Sequence, residues 1–446
     1  MKLLNRLLHL FAFLLPWQTI WLYREPIVNG YKWEFGTLGF YATEVLLWLI
    51  IALFVLWYIH RFSKRTVKQK FVFTKDRFFL LSVVVFLLYA FASSLWAPDA
   101  VLARQHALRL MQAILLFLMI YIVPISWKKM VLWFSGGMTI QALLGYWQFI
   151  SQKTFASTLL GMAAHPVDAG GTSVIVGREV GRWLRAYGGF SHPNVFAGFL
   201  VISFFLTTFL WHVNKDASPQ HRIFAAAAML TQITALFFTF SRSAWLSFVI
   251  LWLILFLFSS KKDVLHGAES FLFRVSVYSA LLIAVLASMF MPLVQNRLFG
   301  DSSYEARSIE ERLTGAAEAR QIRVAHPFLG VGAGNYTAEL MAQYPNREGW
   351  VYQPVHNVVL LFVAEFGFVG IMLVGLIIVT FIRMHEKERR FMVSVAFVVL
   401  LGLLGPLAAF DHYLYSAYSG LMAFALVVGV VMKYSTHDIH ILSPHE

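Results

Sequence analysis

The chain contains no cysteine. That excludes disulfides, thiolate metal ligands and covalent cysteine chemistry, and leaves the redox compartment unread. Charge is scarce too: of 446 residues 13% are Asp, Glu, Lys or Arg, against 59% hydrophobic, with a mean hydropathy of +0.68. A water-soluble domain of this length does not carry that composition, so the chain reads as a polytopic membrane protein. No Asp-x-Asp pair falls on the segments assigned below to the outer side, so a bound divalent metal is not suggested. No internal repeat is found, and no strand and βα unit accompanies the closely spaced glycines, which argues against a nucleotide-binding loop.

What is present is a series of apolar runs near the ~20 residues a bilayer requires. They fall at about 6–22, 41–59, 78–96, 108–125, 130–150, 193–212, 222–240, 243–259, 273–292, 356–382, 391–409 and 415–432. The expectation is an all-α membrane protein of about twelve transmembrane helices forming one integral membrane domain over 1–446. The first run follows Lys2 and Arg6 as in a signal peptide, but no small-residue cleavage site follows, and Trp17 and Trp21 suit an interface. It is read as a retained span. With both termini in the cytoplasm, 21 of the 36 basic residues lie in short inner segments, seven of them between Arg61 and Arg77. That is the bias the positive-inside rule requires.

The 15 outer basic residues are of a different kind, 13 arginines with only Lys32 and Lys153. A guanidinium fork binds phosphate bidentately and tolerates partial burial, whereas lysine acts as a hydrated point charge. The net charge of +13 mostly reflects topology, and nothing points to nucleic acid. Pairing with local acids is the alternative, since six arginines face seven acids between Val294 and Val355.

Two outer segments are long, 151–192 and 293–355. The first ends in Ser191-His-Pro-Asn194, where Pro193 suits the first turn of the sixth span and the polar residues suit a helix cap. In the second, Ser308-Ile-Glu-Glu311 reads as a capping box opening a helix to Ala325 before Pro327 stops it. Glycines 330, 332 and 334 then read as a structural loop seating its neighbours. Arg242, in the tight Ser241-Arg-Ser-Ala-Trp245 junction of the seventh and eighth spans, either snorkels to headgroups or meets an anion. His356, at the mouth of the tenth span, either caps that helix or accepts a proton from a hydroxyl near neutral pH. Glu365 lies about 13 Å further along it at 1.5 Å per residue, where an acid must be paired, protonated or beside a cavity. Asp411 and His412 fall in the last outer turn, where solvation is the default expectation.

Taken in order, these residues resemble the O-antigen ligase and polymerase superfamily of bacterial membrane glycan transferases. The likeness runs through Arg312 on the loop helix, Pro327 within His-Pro-Phe-Leu-Gly-Val-Gly-Ala-Gly-Asn-Tyr, His356-Asn357, and Glu365-Phe-Gly367 with Gly370. It extends to the SHPN and SRSAW elements, the LWAPD turn after the third span and the twelve-span layout. The family often has a tryptophan where this chain has Ala316, so Arg307, Arg320 and Arg323 stand as alternatives to Arg312.

The resemblance implies a fold similar to the GT-C glycosyltransferases with a large helical outer loop between spans nine and ten. It implies transfer of a glycan from undecaprenyl pyrophosphate to a lipid or glycan acceptor, such as lipid A-core or another surface polymer. The reaction would be metal-independent, without cofactor, on the outer face of the cytoplasmic membrane. Carried over residue by residue, Arg242 and Arg312 become pyrophosphate ligands and His356 the base, with Asn194, Asn357, Glu365, Arg320 and Arg323 as supporting candidates. A polymerase joining repeat units on the carrier is the alternative within the class. A lipid-linked glycan flippase is the alternative outside it, although that would be expected to show repeats and midplane charges.

Overall fold

The computed structural model describes residues 2–63, 75–177, 181–213, 218–259, 269–299 and 303–437. Most of the basic run from Arg61 to Arg77, together with Lys215, Lys261 and Lys262, lies outside the described residues, as does the side chain of Arg307.

The chain opens with α1 (Lys2–Leu14), followed by β1 (Ile20–Arg24), β2 (Ile27–Val28), β3 (Tyr31–Lys32) and β4 (Leu38–Tyr41). Helices α2 (Ala42–Ser63), α3 (Lys75–Ala92), α4 (Ala100–Ile122) and α5 (Trp127–Ser151) come next. The first long loop carries β5 (Val174–Gly177) and β6 (Gly181–Leu184), before α6 (Pro193–Val213), α7 (Pro219–Phe238), α8 (Arg242–Ser259), α9 (Glu269–Met289) and α10 (Met291–Phe299). The second long loop holds α11 (Ser303–Ala325) and α12 (Tyr336–Gln343); α13 (Val358–Met384), α14 (Lys387–Phe410), α15 (Tyr413–Ser416) and α16 (Tyr418–His437) complete the chain. The strands pair antiparallel as β1 with β4, β2 with β3 and β5 with β6, three small two-stranded sheets that the all-α expectation did not include.

Among the described residues eight helices, in α2, α3, α4, α6, α7, α13, α14 and α16, are long and apolar enough to cross a membrane. Counting α9 and α10, bent by 91° at their break, gives nine. The protein is thus a multi-pass membrane protein, with fewer qualifying helices among the described residues than the twelve expected. The expected first span at 6–22 is not one helix: α1 ends at Leu14 and residues 20–24 form a strand. Helix α5 is 25 residues long but falls outside the eight. Its polar side chains have work elsewhere: Gln141 accepts from the Gly189 backbone N–H at 2.6 Å, Gln148 from that of Tyr187 at 3.0 Å, and Gln152, just past its end, from that of Leu184 at 2.7 Å. These bonds fasten the first long loop to the bundle, satisfying backbone groups that would otherwise be buried unpaired.

Helix α11 begins at Ser303, so Ser308 lies inside it and does not form the N-cap that the capping-box pattern suggested. The inward face of α11, Glu318, Ala319 and Ile322, is buried. Gly315 brings that helix against the backbone of Val355, next to His356.

The strongest local departure from regular structure is in α13. Gly367, at φ 58° and ψ −160°, breaks the helix. The backbone groups freed by the break are taken up by the glycine loop: Phe368 N–H donates to Pro327 O at 2.9 Å and Val369 N–H to Phe328 O at 3.1 Å. In return Val331 N–H donates to Ala364 O at 3.0 Å and Gly332 N–H to Glu365 O at 2.9 Å. Tyr89 adds a hydroxyl bond to Phe366 O at 2.8 Å and one to Leu329 O at 2.9 Å. The loop is held from its other side by the turn before α4. Asp99 caps that helix by accepting from Val101 and Leu102 N–H, and Asn335 bonds the Asp99 backbone in both directions, at 2.7 and 3.1 Å.

A Cβ on Gly330, whose φ is +67°, would lie 2.3 Å from the Glu365 carbonyl oxygen. Gly330→Ala is expected to cost about 2–4 kcal/mol from backbone strain and overpacking. Gly170→Ala, with nothing within 4 Å of its Cβ, is expected to stay within about 0.5 kcal/mol. Thermal unfolding of both variants in detergent checks the contrast.

Candidate active site

The site grows out of the turn between α7 and α8. Phe240 adopts φ 48°, reversing the chain within three residues. The carbonyls turned outward there are claimed by two arginines: Arg185 Nε donates to Thr239 O at 2.6 Å and Arg297 Nε to Phe240 O at 2.8 Å. Arg242 is the next helical residue, half-buried at the start of α8. A helix N-terminus carries partial positive charge, which adds to the two guanidinium groups bonded to this turn.

Arg185, 4% exposed, is the hub. Besides Thr239 it donates to Ser173 Oγ at 3.0 Å and to Asn194 Oδ1 at 2.8 Å. Asn194 in turn donates through Nδ2 to Asp411 Oδ2 at 3.2 Å. Asp411 Oδ1 lies 3.9 Å from His356 Nδ1, too long for a hydrogen bond. A continuous polar line therefore runs from the α7–α8 turn through Arg185, Asn194 and Asp411 to His356. The tertiary structure assembles it from four separated stretches of chain.

Asn357 caps α13, accepting from Leu360 N–H at 2.9 Å and donating to Ala409 O at 3.1 Å, which leaves His356 outside the cap. The imidazole of His356 is 26% exposed and turns its Nδ1 toward Asp411. In SHPN, His192 does the capping, with Nδ1 accepting from Asn194 N–H at 3.1 Å, while the Asn194 side chain enters the polar line. Glu365 is 3% exposed. It accepts from Gly334 N–H at 2.8 Å and from the Tyr415 hydroxyl at 2.5 Å, so it latches the glycine loop to α15. On α11, Arg312 is half-buried, one turn before the Gly315 contact with Val355, whereas Arg320 and Arg323 are exposed.

Asp411 and His412 correct the expectation of a solvated turn, because Asp411 is 6% exposed. Burial alone would raise its pKa, but the contact with His356 and the fields of His412 and His192 outweigh that and hold it well below the usual carboxylate range. It is ionised. His412 is pushed down to about 4, chiefly by burial against the opposing pull of Asp411. His192 is pushed down to about 3 by burial and by Arg185. Arg185, Arg297 and Asp411 were missed as site residues because each is an ordinary outer-loop charge in sequence. Only the arginine excess of the outer segments pointed toward the first two.

Beside this cluster an apolar groove of about 520 Å³ runs between α8 and α14. Leu246, one turn beyond Arg242, lines it from one side, and Ala409 and Phe410, just before Asp411, from the other. A cationic turn, a carboxylate–imidazole pair and an apolar groove thus meet at one place.

The two lowered histidines fix a pH dependence. In the unfolded chain each takes a proton near its ordinary value of 6.5, whereas in the folded chain they resist until about 3 and 4. Between those limits the unfolded state binds more protons, so stability falls as the pH drops, by at most about 1.4 kcal/mol per pH unit for each histidine. Asp411 acts only below its unfolded value near 4, outside this window. Acidification from pH 7 to 4.5 is therefore expected to lower the melting temperature. His192→Asn, which keeps a capping side chain, is expected to flatten that slope in unfolding scans across the pH series.

No curated protein matches the chain. Residues 227–375, a stretch that holds the α7–α8 turn, the loop helix, the glycine loop, His356 and the break in α13, match the family model described as O-antigen ligase.

Proposed function

We propose that this protein transfers a glycan from undecaprenyl pyrophosphate to an acceptor hydroxyl on the outer face of the cytoplasmic membrane, with Arg242 and Arg312 holding the pyrophosphate and His356 as general base. The observation that carries the reading is the His356–Asp411 pair reached by a polar line from the arginine-rich α7–α8 turn. Rupture of the anomeric C–O bond leaves negative charge on the departing pyrophosphate, which preorganised guanidinium groups and a helix N-terminus stabilise. The acceptor oxygen loses its proton as it attacks, and a neutral imidazole takes it. With Nδ1–H turned to the Asp411 carboxylate, the free lone pair of His356 is on Nε2, and the carboxylate stabilises the imidazolium that forms. Asn194 and Arg185 hold Asp411 in place, a supporting role.

The apolar groove supports a lipid-borne donor, since a prenyl chain entering between α8 and α14 would bring its head group to Arg242 and Asp411. Half-burial of Arg312 on the α11 face nearest Val355, against exposure of Arg320 and Arg323, favours it as the second phosphate ligand. Outer-face orientation rests on the basic excess of the opposite segments.

His356→Ala is expected to lower transfer by about 10²–10⁴-fold while donor binding persists. Near-normal turnover in a folded variant would remove His356 from the chemistry. Arg242→Ala is expected to weaken donor capture, and unchanged donor affinity would end its phosphate role. Purified protein with an undecaprenyl-pyrophosphate-linked oligosaccharide and candidate acceptors supplies the assay, with products resolved by size. One discrete acceptor shift makes it a ligase, a ladder on the carrier a polymerase. Donor movement across vesicles without any product overturns the reading in favour of a transporter.

A further inference from the structure

His356 precedes α13, and Asp411 and His412 follow α14, yet one donor atom from each lies within 4.8 Å of the others. His356 Nδ1 is buried and has no hydrogen-bond partner among the described residues, while the nearest anionic oxygen, Asp411 Oδ1, is 3.9 Å away. A buried imidazole nitrogen left 3.9 Å from a carboxylate calls for something between them. We propose that His356, Asp411 and His412 form an inhibitory site for a divalent transition metal of the zinc class.

The donor set selects the metal. Two imidazoles and one carboxylate suit zinc, copper or nickel, whereas calcium and magnesium want oxygen ligands alone. Two ligands on a tetrahedral zinc ion stand roughly 3.3–3.5 Å apart, from zinc–ligand bonds of about 2.0–2.2 Å. The observed 3.9 Å therefore needs only a small side-chain rotation to close. Asp411 Oδ1 accepts one bond, from His412 N–H at 2.8 Å, and keeps a second lone pair.

Outer partners of the kind that orient metal ligands are already in place. Asn194 donates to Asp411 Oδ2, and Ser416 Oγ lies 2.6 Å from His412 Nδ1.

The inhibitory consequence rests on the general-base reading above. Metal on Nδ1 forces the remaining imidazole proton to Nε2, which removes the lone pair the acceptor hydroxyl needs. Metal and catalysis then exclude each other even though Nε2 stays accessible.

The test uses the purified full chain in detergent, stripped with a chelator and desalted. Zn2+ binding is measured by titration calorimetry and by displacement of Co2+ from its tetrahedral absorption band. The expected result is one Zn2+ per chain, bound at least about tenfold more weakly in Asp411→Asn and in His412→Gln. Binding is expected to be unchanged in His326→Gln, a histidine 3.5 Å from Glu339 elsewhere in the loop, and Mg2+ is not expected to compete. Absence of saturable Zn2+ binding, or binding unaltered in both ligand variants, overturns the site; if Asp411→Asn does not fold, His412→Gln decides alone. These measurements need no glycan donor, so the site stands or falls apart from the transferase assignment. In the transfer assay saturating Zn2+ is expected to stop turnover and a chelator to restore it, and transfer indifferent to bound Zn2+ overturns the inhibitory role.

Discussion

A helix broken inside an apolar bundle must find partners for the backbone groups it frees, because no water is available there to take them. In this protein the break at Gly367 is answered by the loop from Pro327 to Asn335, whose N–H and C=O groups replace the missing helical bonds. The loop can reach that close only where side chains are absent, and the left-handed conformations of Gly330, Gly332 and Gly334 aim its amides at the broken strand of hydrogen bonds. Glu365, Tyr89 and Asn335 then tie the loop to α15, α3 and the turn before α4. Once this joint is set, α11 is drawn against Val355 and His356 is fixed beside the end of α14.

The same demand, that every buried polar group be satisfied, shapes the site. Arg185 is buried because it serves three acceptors at once, and Asn194 relays it to Asp411. Three histidines and an amide around the carboxylate hold its pKa below the usual range despite its burial. A buried charge so arranged orients an imidazole without neutralising it, which is the division of labour found wherever a carboxylate and a histidine act together on a hydroxyl. Placing the pair beside an apolar groove and a cationic turn lets a single location meet the apolar, anionic and nucleophilic parts of a lipid-linked transfer.

Much of this was legible beforehand, and the reasons are physical. The order Arg312, Pro327, the glycines, His356-Asn357 and Glu365-Phe-Gly367 was readable through its resemblance to a known family, while each residue alone left a structural and a functional role open. The reading of Asp411 and His412 as a solvated turn failed because solvation follows from what packs over a residue, here α6 and the first long loop. Likewise Ser308 resembled a cap only because its neighbourhood matches the pattern; the helix extends back to Ser303. The first apolar run resembled a span, yet Pro16 and the β1–β4 pairing end the helix early.

Composition and periodicity by themselves determined that the chain is helical and spans a membrane, since those depend only on the summed transfer energy of consecutive residues. They also determined which outer arginines were available. Only the tertiary structure decided which arginines converge, that Asn194 leaves its cap to join Asp411, that Glu365 serves the loop, and that His356 faces a carboxylate 55 residues further along the chain. Those choices depend on contacts between distant segments, whose free energy no local stretch contains.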